Sequence, residues 1–541
     1  MRTCLGDKAE TLAAMRRAES GLAYAEAFAM PMGRVAVEAG AGYTRFEALL
    51  VEQVQRVIAE SGVDLSREDT QLVISTTKGN IESLAQDCDH IDERVFLGVA
   101  AQRIAERFGC KNRPIVISNA CISGVSAFVV ARQLLLAGQC KDVVVAGCDT
   151  LCEFITSGFA SFKSISAAPC RPYDARRDGL TLGEAAGAVL LTTDVARADG
   201  SHIRLTGGAI SNDANHISAP SRTGDGLYYA IRQAMDEAGI GCDDVGFVNA
   251  HGTATRYNDE MESKAVALAG LCAKPLNSVK GYIGHTLGAS GVVEAIICAE
   301  ELKGGFIFGT KGYEESDTPY RLSVSGAEQS IGRRCCVKTA SGFGGCNAAI
   351  VLDMEERDRR HTATAEQPIA STIRAEYRLP QSEVPFAEFI RSEFRSLGES
   401  NMKFYKMSDM SKALYVAVER LLAIEGLDDA QPARRAIVLA NRSASLDADI
   451  VHQQILTCPS AEGASPSAFV YTLANVAVGE QCIRHKIQGD NTFFIENEES
   501  GLAARYAESL IARDRADAVI YGWCDYLKGA WRVEVKLLKR V

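Results

Sequence analysis

The sequence predicts an α/β fold with mainly parallel sheets over residues 1–355, followed by a second and smaller unit of the same type. Two observations lead to this prediction. Short apolar runs typical of buried strands alternate with longer segments of helical periodicity, and part of that order returns after residue 368. The strand-like runs lie at 72–74, 114–117, 143–145 and 246–248, and the helical segments lie at 45–60, 124–137, 225–239 and 288–303.

Length and composition limit the classes of protein that fit. The chain has 541 residues, 47% of them hydrophobic, which suits two or three folding units of a globular protein. The net charge of -11 argues against general nucleic-acid binding. No apolar run approaches the roughly 18–20 residues that span a membrane, and 1–7 does not resemble a signal peptide. The 17 cysteines include no CxxC pair, so we expect reduced thiols, no metal site and a cytoplasmic location.

A change of composition divides the chain near residue 355. A dense run of charged residues at 355–360 is followed by a Thr/Ala-rich stretch that ends at Pro368. Apolar patterning resumes beyond it. We therefore predict one unit at 1–355, a linker at 356–368 and a second unit at 369–541.

The second unit repeats segments of the first in the same order. The matched pairs are 44–49 with 408–414, 71–74 with 436–439, 115–135 with 493–512, and 141–149 with 516–525. Matching Gly501 to Gly124 places Glu498 opposite Cys121. We interpret 369–541 as a duplicated half-module that lacks the reactive residues described below and is not catalytic.

Cys121 is the candidate nucleophile. It lies where the strand-like run 114–118 gives way to the helical segment that begins near Val125. Unpaired N–H groups and the dipole at a helix N-terminus favour thiolate over thiol, and the backbone N–H of Cys121 could help to hold an oxyanion. Because a single cysteine is more often an inert core residue, this assignment depends on partner residues.

Two histidines and a glycine-rich turn are the candidate partners. His251 directly follows an apolar strand in the segment NAHGTAT, and His285 lies in KGYIGHTLGASG. Both loops consist of small residues between predicted elements, where functional side chains concentrate. The turn 342–347 contains glycines that permit a close backbone approach to a ligand. Each feature alone also fits a structural role, but together they suit nucleophilic acyl transfer.

Five ordered segments resemble the elongating β-ketoacyl-[acyl carrier protein] synthases of the thiolase superfamily. They are NACISG (119–124), RPYDARRDGLTLGEAAGAVLL (171–191), HGTATRYNDEME (251–262), KGYIGHTLGASG (280–291) and GFGGCN (342–347). The resemblance covers about residues 4–353. It implies a thiolase-like fold, layered αβαβα, with two duplicated mixed sheets whose halves meet near residue 200, and an additional C-terminal half-module of the same type.

The resemblance also implies the reaction, a decarboxylative Claisen condensation with malonyl-[acyl carrier protein]. Cys121 would carry the acyl chain as a thioester. His251 and His285 would hydrogen-bond the malonyl thioester carbonyl and assist loss of carbon dioxide. The backbone N–H of Phe343 would join that of Cys121 in an oxyanion hole, and the Phe343 ring would gate the acyl pocket.

Further residues are assigned supporting roles by the same resemblance. Lys280 and Glu294 would support the polar network around His285, and Thr253 and Thr255 would contact the phosphopantetheine arm. The family needs no metal or organic cofactor, because substrates arrive on the phosphopantetheine of acyl carrier protein. The resemblance further implies a homodimer, or a heterodimer with a related synthase or chain-length factor, in fatty acid, polyene or other polyketide synthesis.

Two alternatives within the superfamily stay open. A chain-length-factor-like subunit without catalysis lacks the nucleophile, whereas Cys121 is present here. A thiolase-type acyltransferase uses a second cysteine as acid and base where this chain has His285. The presence of both residues favours the condensing enzyme.

The sequence departs from the family pattern at two places. Family members begin with an apolar strand and a glycine turn, but 3–7 reads Thr-Cys-Leu-Gly-Asp, so the first strand is expected to be absent or cut short. Residues 366–541 have no place in a standalone synthase, with 368–373 as a possible first strand of the added part. Similar half-synthase domains accompany bacterial polyene-pigment synthases, and both a chain-length-defining role and a purely structural role remain open.

Overall fold

The computed structural model describes residues 1–37, 40, 42–85, 91–197, 202–355, 368–457 and 464–541. The predicted linker lies outside these residues except for its last residue. The α-helices are Lys8–Arg16, Arg45–Ser61, Leu97–Arg107, Ser123–Leu136, Glu153–Ser161, Asp225–Ala238, Arg256–Leu268, Lys280–Ile283, Ser290–Gly304, Phe386–Ser396, Asp409–Ile424, Leu446–Thr457, Pro466–Val470, Asn475–His485 and Leu502–Ala512.

One sheet of eleven strands runs through both parts of the chain. The strands from beyond residue 368 meet those from the first 192 residues in the middle of this sheet. In spatial order the strands are Ser371–Arg378, Ala530–Arg540, Ala518–Leu527, Arg435–Asn441, Asn491–Ile495, Ile115–Ile117, Thr70–Ser75, Asp142–Asp149, Ala185–Thr192, Arg2–Thr3 and Gly6–Asp7.

On the N-terminal side of the junction, the sheet is mixed. Ile115–Ile117 and Asp142–Asp149 both run parallel to Thr70–Ser75. Ala185–Thr192 then pairs antiparallel with Asp142–Asp149. All residues of Asp142–Asp149 are buried, as expected for a strand that is covered on both faces.

The C-terminal side repeats this arrangement in reverse order along the sheet, and the two sides meet through an antiparallel pair of strands. Asn491–Ile495 and Ala518–Leu527 both run parallel to Arg435–Asn441, and Ala530–Arg540 pairs antiparallel with Ala518–Leu527. Strand order and strand direction therefore match those of the first half. The predicted half-module of the same type is confirmed.

Corresponding helices also begin in the same way in the two halves. Thr44 accepts a hydrogen bond from the backbone N–H of Glu47 and caps Arg45–Ser61. Ser408 accepts from the N–H of Ser411 and caps Asp409–Ile424. Side-chain oxygens at this position satisfy N–H groups that a helix leaves unpaired. Both helix starts lie where the sequence pattern predicted them.

A second, six-stranded sheet completes the first unit. Its order is Arg204–Asn212, Cys346–Asp353, Cys335–Gly342, Phe247–Asn249, Pro275–Asn277 and Ser323–Val324. Two small sheets flank it. They are formed by Phe306–Ile307 with Gln329–Ser330, and by Ala23–Ala25 with Met30–Gly33 and Leu182–Gly183.

Two buried helices, Ser123–Leu136 and Ser290–Gly304, form the layer between the sheets and contact both of them. Outer helices cover the other faces, for example Arg45–Ser61 on the large sheet and Asp225–Ala238 on the second one. The two central helices approach closely at their first turns. A Cβ built on Gly124 would lie 2.8 Å from the backbone N of Gly291. This contact brings the loops that precede both helices together.

The first strand is present but short. Arg2–Thr3 pairs antiparallel with Ala185 and Ala186 in the large sheet. In the large sheet this two-residue strand lies beside the last strand, Gly6–Asp7, and not at the centre. In the half-module, the first strand is Ser371–Arg378, a few residues later than the sequence suggested.

The two parts of the chain are joined by strand pairing and by a shared core. Ile117 pairs with Phe494, and Val116 pairs with Ile495. Arg515 of the half-module also forms an ion pair of 2.9 Å with Glu237. Because a strand edge pairs with one neighbour at a time, the half-module occupies the edge of Ile115–Ile117, and a second chain cannot pair there. No helix within the described ranges has the length and apolar character needed to cross a membrane.

Truncation after Met354 tests the role of this junction. The shortened chain would expose the edge of Ile115–Ile117 together with the apolar surface beneath the half-module. We expect it either to lose solubility or to pair with a second copy through the free edge. Light scattering measures the oligomeric state of the truncated and full-length chains, and thermal unfolding compares their stability. A truncated chain that is monomeric and unfolds at the same temperature as the full chain would contradict the expectation.

Candidate active site

Cys121 lies in the 3-10 turn Ala120–Ile122, directly before helix Ser123–Leu136. Ala120 has a φ of 46°, a left-handed conformation that non-glycine residues seldom adopt. The hydroxyl of Ser123 stabilises the turn by donating to the Ala120 carbonyl over 2.6 Å. Cys121 is 8% exposed. The turn therefore holds the thiol at a helix N-terminus, as predicted, but in an enclosed site.

The protonation of Cys121 differs from the expectation. Burial raises the pKa of its thiol to about 12. The charge of Lys280 and the backbone N–H groups of Cys121 and Phe343 act in the opposite direction without offsetting the effect of burial. The backbone N–H groups favour the thiolate, as the sequence pattern predicts, but the loss of solvent, which that pattern does not report, has the larger effect. The backbone N–H groups of Cys121 and Phe343 both lower the pKa of this sulfur, and two such donors are what an oxyanion hole requires.

His251 and His285 are neighbours. Their ring centroids lie 5.1 Å apart with the planes at 87°, and both residues are buried. Burial is the main cause that lowers the pKa of both rings well below the usual value, and the charges of Lys280 and Lys338 add to it. Both imidazoles are therefore neutral at pH 7.

Hydrogen bonds determine which ring nitrogen carries the proton. The Nζ of Lys280 lies 3.5 Å from Nδ1 of His251, and since an ammonium has donors only, this Nδ1 accepts. The hydroxyl of Ser290 lies 3.2 Å from Nδ1 of His285 and itself accepts from the N–H of Thr286. The Ser290 hydroxyl also lies 3.1 Å from the Thr286 hydroxyl, and either of the two can be the donor. A Ser290 hydrogen directed to Nδ1 of His285 leaves the ring proton on Nε2. In both rings we assign the proton to Nε2, which is free to donate to a substrate oxygen.

A buried carboxylate balances two buried lysines beside the histidines. The Oε1 of Glu294 lies 2.6 Å from the Nζ of Lys280, and its Oε2 lies 2.7 Å from the Nζ of Lys338. Pairing offsets the cost of taking charges out of water. Lys338 was missed by the sequence analysis, although a single lysine inside the apolar strand Cys335–Gly342 was an available signal.

Glu262 anchors the loop that carries His251. Its carboxylate accepts the backbone N–H of His251 over 2.8 Å and that of Gly252 over 2.6 Å. Further along this loop, the hydroxyls of Thr253 and Thr255 lie 2.9 Å apart. Thr253 is buried and Thr255 is half-buried. The two threonines predicted to contact phosphopantetheine are thus on the loop of His251.

Phe343 lies at the turn between strands Cys335–Gly342 and Cys346–Asp353. Its ring stacks on Phe162 with centroids 5.2 Å apart, and on Phe159 with centroids 6.0 Å apart. The backbone of Phe343 therefore faces Cys121 while its ring belongs to an aromatic cluster. This position suits a gate between the sulfur and the cavity beyond it.

A narrow cavity extends from Cys121 and is lined by both parts of the chain. The lining residues are Thr77, Lys78, Ala120, Cys121, Ile155, Phe159, Leu287, Phe343, Phe469 and Leu473. Phe469 and Leu473 come from the half-module. Phe469 also contacts Phe159 with ring centroids 5.4 Å apart. No local sequence pattern indicated these two residues, because their approach depends on how the halves are joined.

Lys78 was also missed. Its Nζ lies 2.6 Å from Oδ1 of Asp449 and 3.0 Å from the hydroxyl of Ser445, and it donates to the carbonyl of Thr472. All three partners belong to the half-module. A lysine three residues after the end of the buried strand Thr70–Ser75 was the signal that the sequence offered.

The structure brings Cys121, His251, His285 and Phe343 to one buried place, with Lys280 and Glu294 beside them. Lys280 acts electrostatically on Cys121 and on both histidines. Glu498 lies elsewhere, with a side chain that is 75% exposed and 3.2 Å from Arg113.

Chemically, the site offers one thiol, two neutral ring donors and two backbone donors. No group of three or more metal-ligating side chains occurs in the part of the chain that the structure describes.

Two family models match the chain, both described as beta-ketoacyl synthase. The N-terminal domain model matches residues 8–196, and the C-terminal domain model matches residues 202–314. A putative mitochondrial 3-oxoacyl-[acyl-carrier-protein] synthase of Schizosaccharomyces pombe is 30% identical, with 48% of this chain and 65% of that protein covered. The chain thus spans slightly less than two thirds of this relative's length. A putative polyketide beta-ketoacyl synthase 1 of Streptomyces halstedii is 30% identical, with 58% and 83% covered.

Two solved structures of ketosynthase–chain length factor proteins resemble this chain in fold. The ishigamide ketosynthase/chain length factor matches with a TM-score of 0.60 and 25% identity over 66% of this chain and 97% of that one. The PfaC keto synthase–chain length factor matches with a TM-score of 0.80 and 15% identity over 100% of this chain and 77% of that one. The second match extends through the half-module. The predicted thiolase-like fold with its added C-terminal part is confirmed, and the chain belongs to the β-ketoacyl synthase family.

Proposed function

We propose that this protein is a β-ketoacyl-[acyl carrier protein] synthase that elongates an acyl chain held on Cys121. The observation that carries the proposal is the enclosed grouping of one thiol, two neutral histidines with free Nε2–H donors and two backbone donors at the sulfur. These groups supply the donors that Claisen chemistry between thioesters needs.

The first step would be acyl transfer. The sulfur of Cys121 attacks the thioester carbonyl of acyl-[acyl carrier protein], and the backbone N–H groups of Cys121 and Phe343 stabilise the oxyanion. The bond from the acyl carbon to the phosphopantetheine sulfur breaks. The proton lost by the Cys121 thiol ends on the leaving phosphopantetheine thiolate, so the step neither consumes nor releases a proton overall.

The second step would be decarboxylation of malonyl-[acyl carrier protein]. His251 and His285 donate from Nε2 to the thioester carbonyl oxygen, which takes up negative charge as the carboxylate leaves as carbon dioxide. Lys280 and Lys338 raise the local positive potential at that oxygen. The enolate carbon then attacks the acyl thioester on Cys121, the carbon–sulfur bond breaks, and the thiolate takes up one proton from solvent.

The half-module would take the place of a partner subunit at the acyl cavity. Phe469 and Leu473 reach the cavity that begins at Cys121, and two structures with chain length factors in their names share the fold. We propose that these side chains limit the length of the acyl chain. A dimer through the edge of Ile115–Ile117 is not part of this proposal, because the half-module fills that edge.

The thiolase alternative is disfavoured by the state of Cys346. This second cysteine lies near Cys121, but burial raises the pKa of its thiol well above the usual value. Its sulfur lies 3.2 Å from the Phe343 carbonyl, to which it donates. Because its hydrogen is donated to a backbone carbonyl, the Cys346 thiol is less available than the His285 ring as an acid and base at the site.

The substrates would arrive on acyl carrier protein, and we propose no further cofactor. The pathway would be fatty acid or polyketide synthesis, in which the named relatives work. The fifteen cysteines within the described residues form no disulfide, which supports a cytoplasmic location.

Replacement of the nucleophile tests the central assignment. Cys121→Ala is expected to lose acylation and condensation completely, because the acyl chain has no other carrier. It should still decarboxylate malonyl-[acyl carrier protein], since both histidines remain. Mass spectrometry of the intact protein with acyl carrier proteins of varied chain length measures acylation. Glu498→Ala, at the matched turn of the half-module, should behave as wild type. Condensation by the alanine variant would exclude Cys121 as the nucleophile.

Replacement of either histidine should separate the two half-reactions. His251→Ala and His285→Ala are expected to acylate at Cys121 but to decarboxylate about 10²–10³-fold more slowly, the usual loss when one oxyanion donor is removed. Release of carbon dioxide from malonyl-[acyl carrier protein] measures the second half-reaction. A variant that decarboxylates at the wild-type rate would show that its histidine is structural.

Shortening Phe469 tests the role of the half-module in chain length. Phe469→Ala should open space beyond Cys121 and shift the acylation preference and the products to longer chains. Phe389→Ala is the matched control, because this ring packs on Trp531 within the half-module. Mass spectrometry of adducts and products measures the shift. An unchanged length distribution in Phe469→Ala would leave the half-module a structural role only.

A further inference from the structure

The loop that carries Phe343 is bonded to the half-module through Asn475. This residue begins helix Asn475–His485 and is 2% exposed. Its Nδ2 lies 2.8 Å from the carbonyl oxygen of Phe343 and 3.5 Å from the sulfur of Cys346. Its Oδ1 is buried without a hydrogen-bond partner in the described part of the chain. The orphaned Oδ1 is a cost that the donated bond to Phe343 must offset.

Close packing reinforces this bond one turn further along the same helix. A Cβ built on Gly479 would lie 2.6 Å from the carbonyl oxygen of Gly344. A Cβ on Gly344 would lie 2.6 Å from Nδ2 of Asn475, and the φ of Gly344 is 89°. Helix Asn475–His485 and the turn 342–347, here called the gate loop, touch backbone to backbone. Both glycines are needed for that approach.

The synthase part forms hydrogen bonds with both backbone groups of Gly344. The Phe343 carbonyl, by contrast, has one donor from the synthase part and one from the half-module. The N–H of Gly344 donates to the carbonyl of Ile217 over 2.6 Å, and Asn212 donates to the Gly344 carbonyl over 2.9 Å. The Phe343 carbonyl accepts from Asn475 and, more weakly, from the thiol of Cys346. The strongest bond at the gate residue itself therefore comes from the half-module.

We propose that Asn475 is a positioning residue of the synthase, which holds Phe343 so that its backbone N–H points at the sulfur of Cys121. The proposal rests on the function proposed above. It extends that function, because the half-module would then complete the oxyanion hole in addition to closing the acyl cavity. Asn475 acts only through Phe343.

The test compares two isosteric replacements of Asn475. Asn475→Leu removes both hydrogen bonds, and we expect acylation of Cys121 to slow about tenfold, less than the loss on deleting an oxyanion donor outright. Asn475→Asp carries a carboxylate that repels the Phe343 carbonyl at pH 8. Burial raises the pKa of an aspartic acid, so this variant regains an O–H donor as the pH falls. Its rate relative to wild type should rise from pH 8 to pH 6, whereas that of Asn475→Leu should stay low.

Two further variants on the same helix keep the test decisive. Gly479→Ala favours the helix but places a methyl group against the Gly344 carbonyl, so it should slow acylation. This variant tests the same contact if the Asn475 variants fail to fold. Gln481→Leu is the control, since this buried amide on the same helix has no hydrogen-bond partner among the described residues. It should match wild type.

Alkylation of Cys121 by iodoacetamide at pH 8 gives a readout that needs no acyl substrate. Because the Phe343 N–H lowers the pKa of Cys121, Asn475→Leu and Gly479→Ala should be alkylated more slowly than wild type.

Wild-type protein that is alkylated but never acylated would contradict the proposed function. The comparison of alkylation rates would then still decide the role of Asn475. Equal alkylation and acylation in Asn475→Leu, Gly479→Ala and wild type, with a pH-independent ratio for Asn475→Asp, would overturn the inference.

Discussion

The pairing of Asn491–Ile495 with Ile115–Ile117 is the interaction on which the rest of the structure depends. It joins two half-sheets into one and lies four residues from Cys121. Asn119 strengthens it from the synthase side, since its Oδ1 accepts from the N–H of Phe493 and its Nδ2 donates to the carbonyl of Asn491. Strand register fixes position along the sheet to within one residue. The pairing thereby determines where the half-module meets the site.

Electrostatics impose the second constraint on the site. The cavity is enclosed, so the thiol and both imidazoles are neutral, and Glu294 with its two lysines lies beside the histidines. Lys280 and Lys338 lower the pKa of both rings, so the potential that they place at the histidines is positive. In a medium of low dielectric constant such a potential acts strongly on negative charge that develops during a reaction. It is the same burial that opposes ionisation of Cys121 in the resting state.

The sequence revealed the parts of the site that have local signals. Cys121, His251 and His285 each lie in small-residue loops between regular elements, and the strand and helix patterns around them were recognised. The charge state of Cys121 could not be predicted, since a sequence pattern does not report solvent exclusion. Lys78 and Lys338 stood beside or inside apolar strands and could have been noticed. Phe469 and Asn475 had no local signal, because their contacts with Phe159 and Phe343 depend on the register between two halves that are distant in sequence.

The half-module has kept the part of the fold that touches the synthase and lacks the part that catalysis would need. In the synthase part, His251 and His285 come from loops at the second sheet, and a unit built on one half-sheet has no second sheet on which to place such loops. A nucleophile at the turn of Glu498 would therefore have no donors, and that turn lies on the surface. The segment from Phe469 to Gly479, by contrast, is buried against the acyl cavity and the gate loop. What remains of the duplicated unit is thus the sheet that pairs, the segment that shapes the neighbouring site, and the apolar face that both of them share.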